Sequence, residues 1–135
     1  MEKACPIVLR AGPLGWQVLA FKHPRAGCQF VKGTIEEGEM PKDAALRELR
    51  EESGLSASIA TPLHASNDLP GADAWHFFLC NVDGPLPDTW AFDTQDDGGR
   101  RFHFFWHSKH ASLSPAWHPL YHQIWAEIVP RLPAH

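Results

Sequence analysis

Residues 33–55 read GTIEEGEMPKDAALRELREESGL, and this stretch decides how the rest of the chain is to be understood. Pro41 to Ser53 is predicted as a helix. Pro41 suits the first helical position, where a missing N–H costs nothing. Asp43 falls in the first turn, where the helix dipole favours negative charge. Gly54 follows the last helical residue and can close the helix in the left-handed conformation. At about 100° per residue, Glu48, Glu51 and Glu52 share an arc of about 100°, while Ala45, Leu46 and Leu49 take the adjoining face and pack inward. Crowded carboxylates at i,i+3 and i,i+4 repel by about 0.2–0.5 kcal/mol per pair. A hard divalent cation among them offsets that cost, and carboxylate oxygens are what Mg²⁺ selects. Taken alone, the acidic helix could equally be a solvated face, with Arg47 and Glu51 as an i,i+4 pair.

The whole stretch is more specific than the helix. It resembles the signature of the Nudix hydrolases: Gly, five residues, Glu, seven residues, Arg-Glu, an aliphatic, any residue, Glu-Glu, any residue, Gly, an aliphatic. Gly33, Glu39, Arg47, Glu48, Leu49, Glu51, Glu52, Gly54 and Leu55 fill every fixed place. The resemblance implies an α/β fold, an α/β/α sandwich around a mixed β-sheet, with substrate lying across the signature. It implies hydrolysis of a nucleoside diphosphate linked to another group, with Mg²⁺, or Mn²⁺ in its place, as cofactor. Carried over to this chain, Glu48 and Glu52 are the main metal ligands. Glu51 is a further ligand or orients water, and the Gly33 carbonyl faces the metal. Arg47 orients a glutamate, and Glu39 supports the loop or a second metal. The catalytic set is then Arg47, Glu48, Glu51 and Glu52. The general base is a signature glutamate or an acid of a later loop, where Asp93, Asp96 and Asp97 are candidates.

Composition agrees with a single globular domain over residues 1–135. The chain has 44% hydrophobic and 21% charged residues, which excludes a disordered or membrane-embedded class. Its net charge of −4 gives no general attraction to nucleic acid, so no stable nucleic-acid partner is expected. No apolar run is long enough to span a bilayer, and the N-terminus lacks the apolar core of a signal peptide. Cys5, Cys28 and Cys80 form no metal motif and are expected as reduced thiols of a cytoplasmic protein. Oligomeric state is not legible.

Outside residues 33–55 the pattern is weaker. Ala4 to Arg10 reads as a strand, residues 11–15 as a turn, and Trp16 to Phe21 as the returning strand of a hairpin. Gln29 to Val31 reads as a short strand entering Lys32 and Gly33. Ser56 to His64 is weakly strand-like, and Asp73 to Val82 strongly so. Asp83 to Gly99, with its prolines, glycines and aspartates, reads as one long surface loop. Arg100 to His107 reads as an aromatic strand, and Pro115 to Val129 as a closing helix. His118 and His122 stand at i,i+4 but have no metal-site companions, and are read as surface or packing residues.

The substrate is expected to be a small molecule containing a phosphoanhydride, most naturally a nucleoside or dinucleoside polyphosphate. Phe30-Val31-Lys32-Gly33 is similar to the aromatic-Pro-Lys-Gly entry of dinucleoside and diphosphoinositol polyphosphate hydrolases, with Val31 in place of the proline. Lys32 is therefore a candidate phosphate contact. Trp90, an indole in a polar loop, is a candidate base-stacking residue. An ADP-ribose or nucleotide-sugar pyrophosphatase, and a non-catalytic nucleotide-binding module, are the alternatives. The latter has no need of the glutamates that are all present here.

Overall fold

The computed structural model describes residues 1–95 and 98–135. The chain runs β1 (Glu2–Ile7), β2 (Leu9–Gly12), β3 (Gly15–His23), β4 (Gly27–Gln29), β5 (Gly33–Thr34), α1 (Pro41–Ser53), β6 (Ala57–Ser66), β7 (Ala74–Val82), β8 (Trp90–Asp93), β9 (Arg101–Ser108) and α2 (Pro119–Ile128), followed by a 3₁₀ turn at Val129–Arg131. Four strands form a mixed sheet in the order β5-β1-β7-β6, in which β1 and β7 are parallel and the other pairings antiparallel. The second sheet has the order β2-β3-β9-β8, with β4 on β3, and is antiparallel throughout.

Alternation along the strands builds two apolar clusters on opposite faces, because successive side chains of a strand point opposite ways. Leu19 and Phe21 of β3 join Ala4, Phe78, Phe102 and Phe104 beneath Ala44, Ala45 and Leu49 of α1. Val18 and Ala20 join Cys5, Ile7, Trp75 and Phe77 beneath Tyr121, Ile124, Trp125 and Ile128 of α2. The result is the α/β/α sandwich expected. Cys5 and Cys80 serve as small buried hydrophobes on opposite faces. All three cysteines are free, and burial pushes the Cys80 thiol up to about 12. Among the described residues no helix is long and apolar enough to cross a membrane.

Several local expectations change. The stretch from Ala4 to Arg10 is two strands, because the chain passes at Val8 from one sheet to the other, and the Val8 carbonyl accepts from Leu19 N–H at 2.9 Å. The hairpin is therefore β2–β3 alone. Phe30 and Val31 form no strand. They are the buried crossing from β4 to β5, which pairs with β1 so that Ala4 faces Gly33 and Lys3 faces Thr34. The closing helix starts at Pro119 rather than Pro115. A helix begun at Pro115 would place the Pro119 ring against the carbonyl four residues back, whereas at the first position the ring is harmless. The His118 ring caps this helix, its Nδ1 accepting from Leu120 N–H at 3.1 Å. Finally, the segment from Asp83 to Gly99 is not one loop, since Trp90–Asp93 forms the edge strand β8 against β9.

Candidate active site

α1 spans the residues expected from its sequence. Its C-terminus is closed by Gly54 at φ 79°, with Gly54 N–H donating to Arg50 O at 3.0 Å. The helix packs on β1 and β5, and its Glu48 meets the short strand that begins at Gly33. Glu48 is buried, and its carboxylate lies directly on Gly33: a Cβ built there would come within 1.9 Å of Glu48 Cδ. Gly33 is needed because the Glu48 carboxyl group occupies the space of a side chain.

Glu48, Glu52, Gly33 and Lys32 line one cleft of about 640 Å³. Its other walls bring in Lys3, His23, Arg25 and Arg100, over Phe21 and Phe102, whose rings stack with centroids 4.3 Å apart. Lys3 Nζ donates to Thr34 Oγ1 at 2.8 Å. Burial, and then the neighbouring Lys32, lower the Lys3 ammonium below its ordinary range, while Glu48 and Glu52 act in the opposite sense. The His23 ring closes the β3–β4 turn, its Nδ1 accepting from the N–H groups of Arg25 and Ala26 at 3.0 and 3.1 Å.

Arg47, Glu39 and Glu51 form an adjoining ionic cluster rather than part of the cleft wall. Arg47 donates from Nε to Glu39 Oε2 at 2.8 Å and from Nη2 to Glu39 Oε1 at 3.0 Å. Its Nη1 donates to Glu48 Oε1 at 2.8 Å and Glu51 Oε2 at 3.0 Å, and Nη2 also reaches the Thr34 carbonyl at 3.0 Å. The guanidinium thus ties three carboxylates to the β5 backbone. Its hydrogen bond to Glu39 is the main cause of that carboxyl's depressed pKa, and Glu39 and Glu48 raise the pKa of Arg47. Both oxygens of Glu39 face Arg47, and Glu39 Oε1 also accepts from Glu36 N–H at 3.1 Å. In this position it braces the loop before α1.

The remaining sequence candidates lie elsewhere. Trp90 is in β8, stacked on Phe104 at 5.0 Å, with Nε1 donating to Ser53 O at 3.1 Å. The indole lines a different groove from the glutamates. Asp93 points outward and pairs with Arg101 Nε at 2.8 Å. Asp96 and Asp97 lie outside the described residues. Lys3, His23, Arg25 and Arg100 were not foreseen. Lys3 reaches the cleft only through the pairing of β1 with β5, some thirty residues away in sequence, and an isolated lysine near a chain start carries no local signal of that.

A divalent cation fits this donor set. Among the described residues no three His, Cys, Asp or Glu side chains converge into a ready-made cage. The cleft offers two carboxylates one helical turn apart beside four cationic side chains. Mg²⁺ is usually held by one or two carboxylates together with water and substrate phosphates, not by an all-protein cage.

Comparison with known proteins bears on the family and the fold. The family model described as NUDIX domain matches residues 5–125. A MutT NUDIX hydrolase from Burkholderia pseudomallei is structurally similar, with TM-score 0.67 and 20% identity over 95% of this chain and 96% of that one. A Nudix hydrolase from M. smegmatis, RenU, gives TM-score 0.67 and 17% identity over 99% of this chain and 88% of that one. A search of curated proteins found no significant match.

Proposed function

The chain belongs to the NUDIX family and is a hydrolase of phosphoanhydride bonds; from that premise we propose that it is a Mg²⁺-dependent pyrophosphohydrolase acting on a nucleoside or dinucleoside polyphosphate. The observation that carries this reading is the cleft itself. Glu48 and Glu52 face it from one helix, Glu48 seated on Gly33, and Lys3, Lys32, Arg25 and Arg100 line the same space. Two carboxylates alone would repel a polyphosphate, and four cations alone would bind it without activating water. Together they suit a phosphate chain held by both.

Glu48 and Glu52 would hold the cation. When bound, it supplies charge neutralisation at the phosphoryl oxygens and acidifies water. Lys3 and Lys32 contact the phosphates as point charges. Arg47 keeps Glu48 and Glu51 in fixed orientation, so that little reorganisation is needed during the reaction. Water oxygen attacks phosphorus, the bond to the bridging oxygen breaks, and the departing phosphate keeps that electron pair. The proton of the water passes to a carboxylate base. We take residues 1–135 as a single domain of this kind, acting in the cytoplasm, where its three free thiols stay reduced.

The test is hydrolysis of a panel of nucleoside and dinucleoside polyphosphates and ADP-ribose with Mg²⁺, with products separated and Glu52→Gln run beside the wild type. A polyphosphate is expected to turn over, and Glu52→Gln to lower kcat by on the order of 10²–10³-fold. Preferred turnover of ADP-ribose would overturn the substrate class. Binding without turnover, with Mg²⁺ or Mn²⁺, would overturn the enzyme in favour of a nucleotide-binding module.

A further inference from the structure

The last turn of a helix ends in carbonyl groups that the helix itself cannot bond. In α1 these belong to the turn that bears Glu51 and Glu52. Arg50 O is met by Gly54 N–H. The carbonyls of Glu51 and Ser53 are met from another part of the chain. Thr94 Oγ1 donates to Glu51 O at 2.9 Å, and Trp90 Nε1 donates to Ser53 O at 3.1 Å. Between them the Phe92 ring stands where a side chain on Gly54 would go, 2.7 Å from an ideal Cβ. Trp90, Phe92 and Thr94 are alternate residues, so they share one face of β8 and its continuation. The opposite face carries Ala91 and Asp93, both exposed.

The face is itself firmly held. The Trp90 ring lies nearly parallel to Phe104, at 11°. Thr94 is 1% exposed, and its N–H donates to Arg100 O at 2.9 Å. Thr94 thus joins the end of α1 to the residue at which the chain returns to the cleft, since Arg100 lines it.

We propose that Trp90 and Thr94 are positioning residues for the reaction: their two hydrogen bonds, to the carbonyls on either side of Glu52, set that carboxylate against the cleft. Glu52 follows Glu51 and precedes Ser53, so its backbone is gripped from both sides. Helix ends otherwise fray, and a site works only when its groups are held to within about 0.5 Å. The inference rests on the reading that Glu48 and Glu52 hold the cation.

The test is Mn²⁺ affinity, followed from the paramagnetic resonance of free Mn²⁺, together with kcat, KM and amide hydrogen exchange over residues 51–55. Thr94→Val removes the hydroxyl at nearly constant shape. Trp90→Phe removes the indole N–H and keeps a ring on Phe104, so it serves should Thr94→Val fail to fold. Both are expected to weaken Mn²⁺ binding at least about tenfold, to lower kcat with KM little changed, and to speed exchange in the last turn. Thr94→Ser restores the donor and is expected to restore all three. Trp16→Phe is the control, because it removes an indole hydrogen bond to Ala134 O far from α1. Folded Thr94→Val and Trp90→Phe with wild-type Mn²⁺ affinity, beside a Glu52→Gln that has lost it, would overturn the positioning role alone. An equal loss in Trp16→Phe would overturn it as well. Wild-type affinity in Glu52→Gln would overturn the carboxylate assignment and the positioning role with it.

Discussion

α1 and β8 meet at Gly54, yet they are encoded in opposite ways. α1 carries its instructions in its own residues: Pro41 at the start, Gly54 at the end, Ala44, Ala45 and Leu49 on the inward face. β8 has four residues and an exposed outer face, inside a segment dense in proline, glycine and aspartate. Its inner face has meaning only against what it touches, the Phe104 ring and the end of α1. The difference teaches that a local pattern can specify an element that closes its own hydrogen bonds, as a helix does. An edge strand borrows its bonds from a partner and leaves a weaker trace.

Three substitutions probe that contrast, beginning with the largest expected effect. Gly33→Ala strikes the contact between β5 and α1. The backbone there accepts alanine, but the methyl group would overlap Glu48, so the carboxylate must move. A displacement of about 1 Å can cost on the order of 10²-fold in rate. Turnover is expected to fall by about that much while the melting temperature changes little. Unchanged turnover would show that Glu48 has a second productive position.

Gly54→Ala acts where α1 and β8 meet. Its φ of 79° is the left-handed region, which costs a residue with a Cβ roughly 1–2 kcal/mol. The methyl group would also press on the Phe92 ring. Urea unfolding should report a loss at the upper end of that range, or beyond it. A loss near 1 kcal/mol would show that the Phe92 ring yields, and that the β8 clamp is looser than its geometry indicates.

The smallest effect is expected on the outer face of β8. The hydrogen bond from Arg101 holds the Asp93 carboxyl below its ordinary value of 3.8. A carboxylate depressed in the folded state contributes stability that is present above its unfolded pKa and lost as pH falls through the folded value. Both side chains are more than half exposed, so solvent screens the pair. Asp93→Asn should shift the urea midpoint slightly at neutral pH and not at all well below pH 3.8. A large shift would mean that the two faces of β8 are not as unequal as they look.

The grouping of Glu48, Glu51 and Glu52 was legible from residues 33–55, because they sit on one helix and helical spacing fixes their directions. Their division of labour was not. Glu39 and Glu51 bond Arg47, Glu52 lines the cleft, and Glu48 does both; one-residue steps on a helix do not reveal which carboxylates a long arginine will collect. The setting of Trp90 was not legible for a related reason. An indole amid turn residues looks exposed until a partner strand supplies its stacking surface.

By itself the sequence determined α1 to the residue and the signature by which the chain resembles its family. These are local matters, settled by hydrogen bonds and side-chain directions within a few residues. Only the tertiary structure decided that Lys3 enters the cleft, that Glu48 rests on Gly33, and that β8 holds the end of α1. Each of those joins residues about fifteen to forty positions apart, and such contacts depend on how strands pair and faces pack.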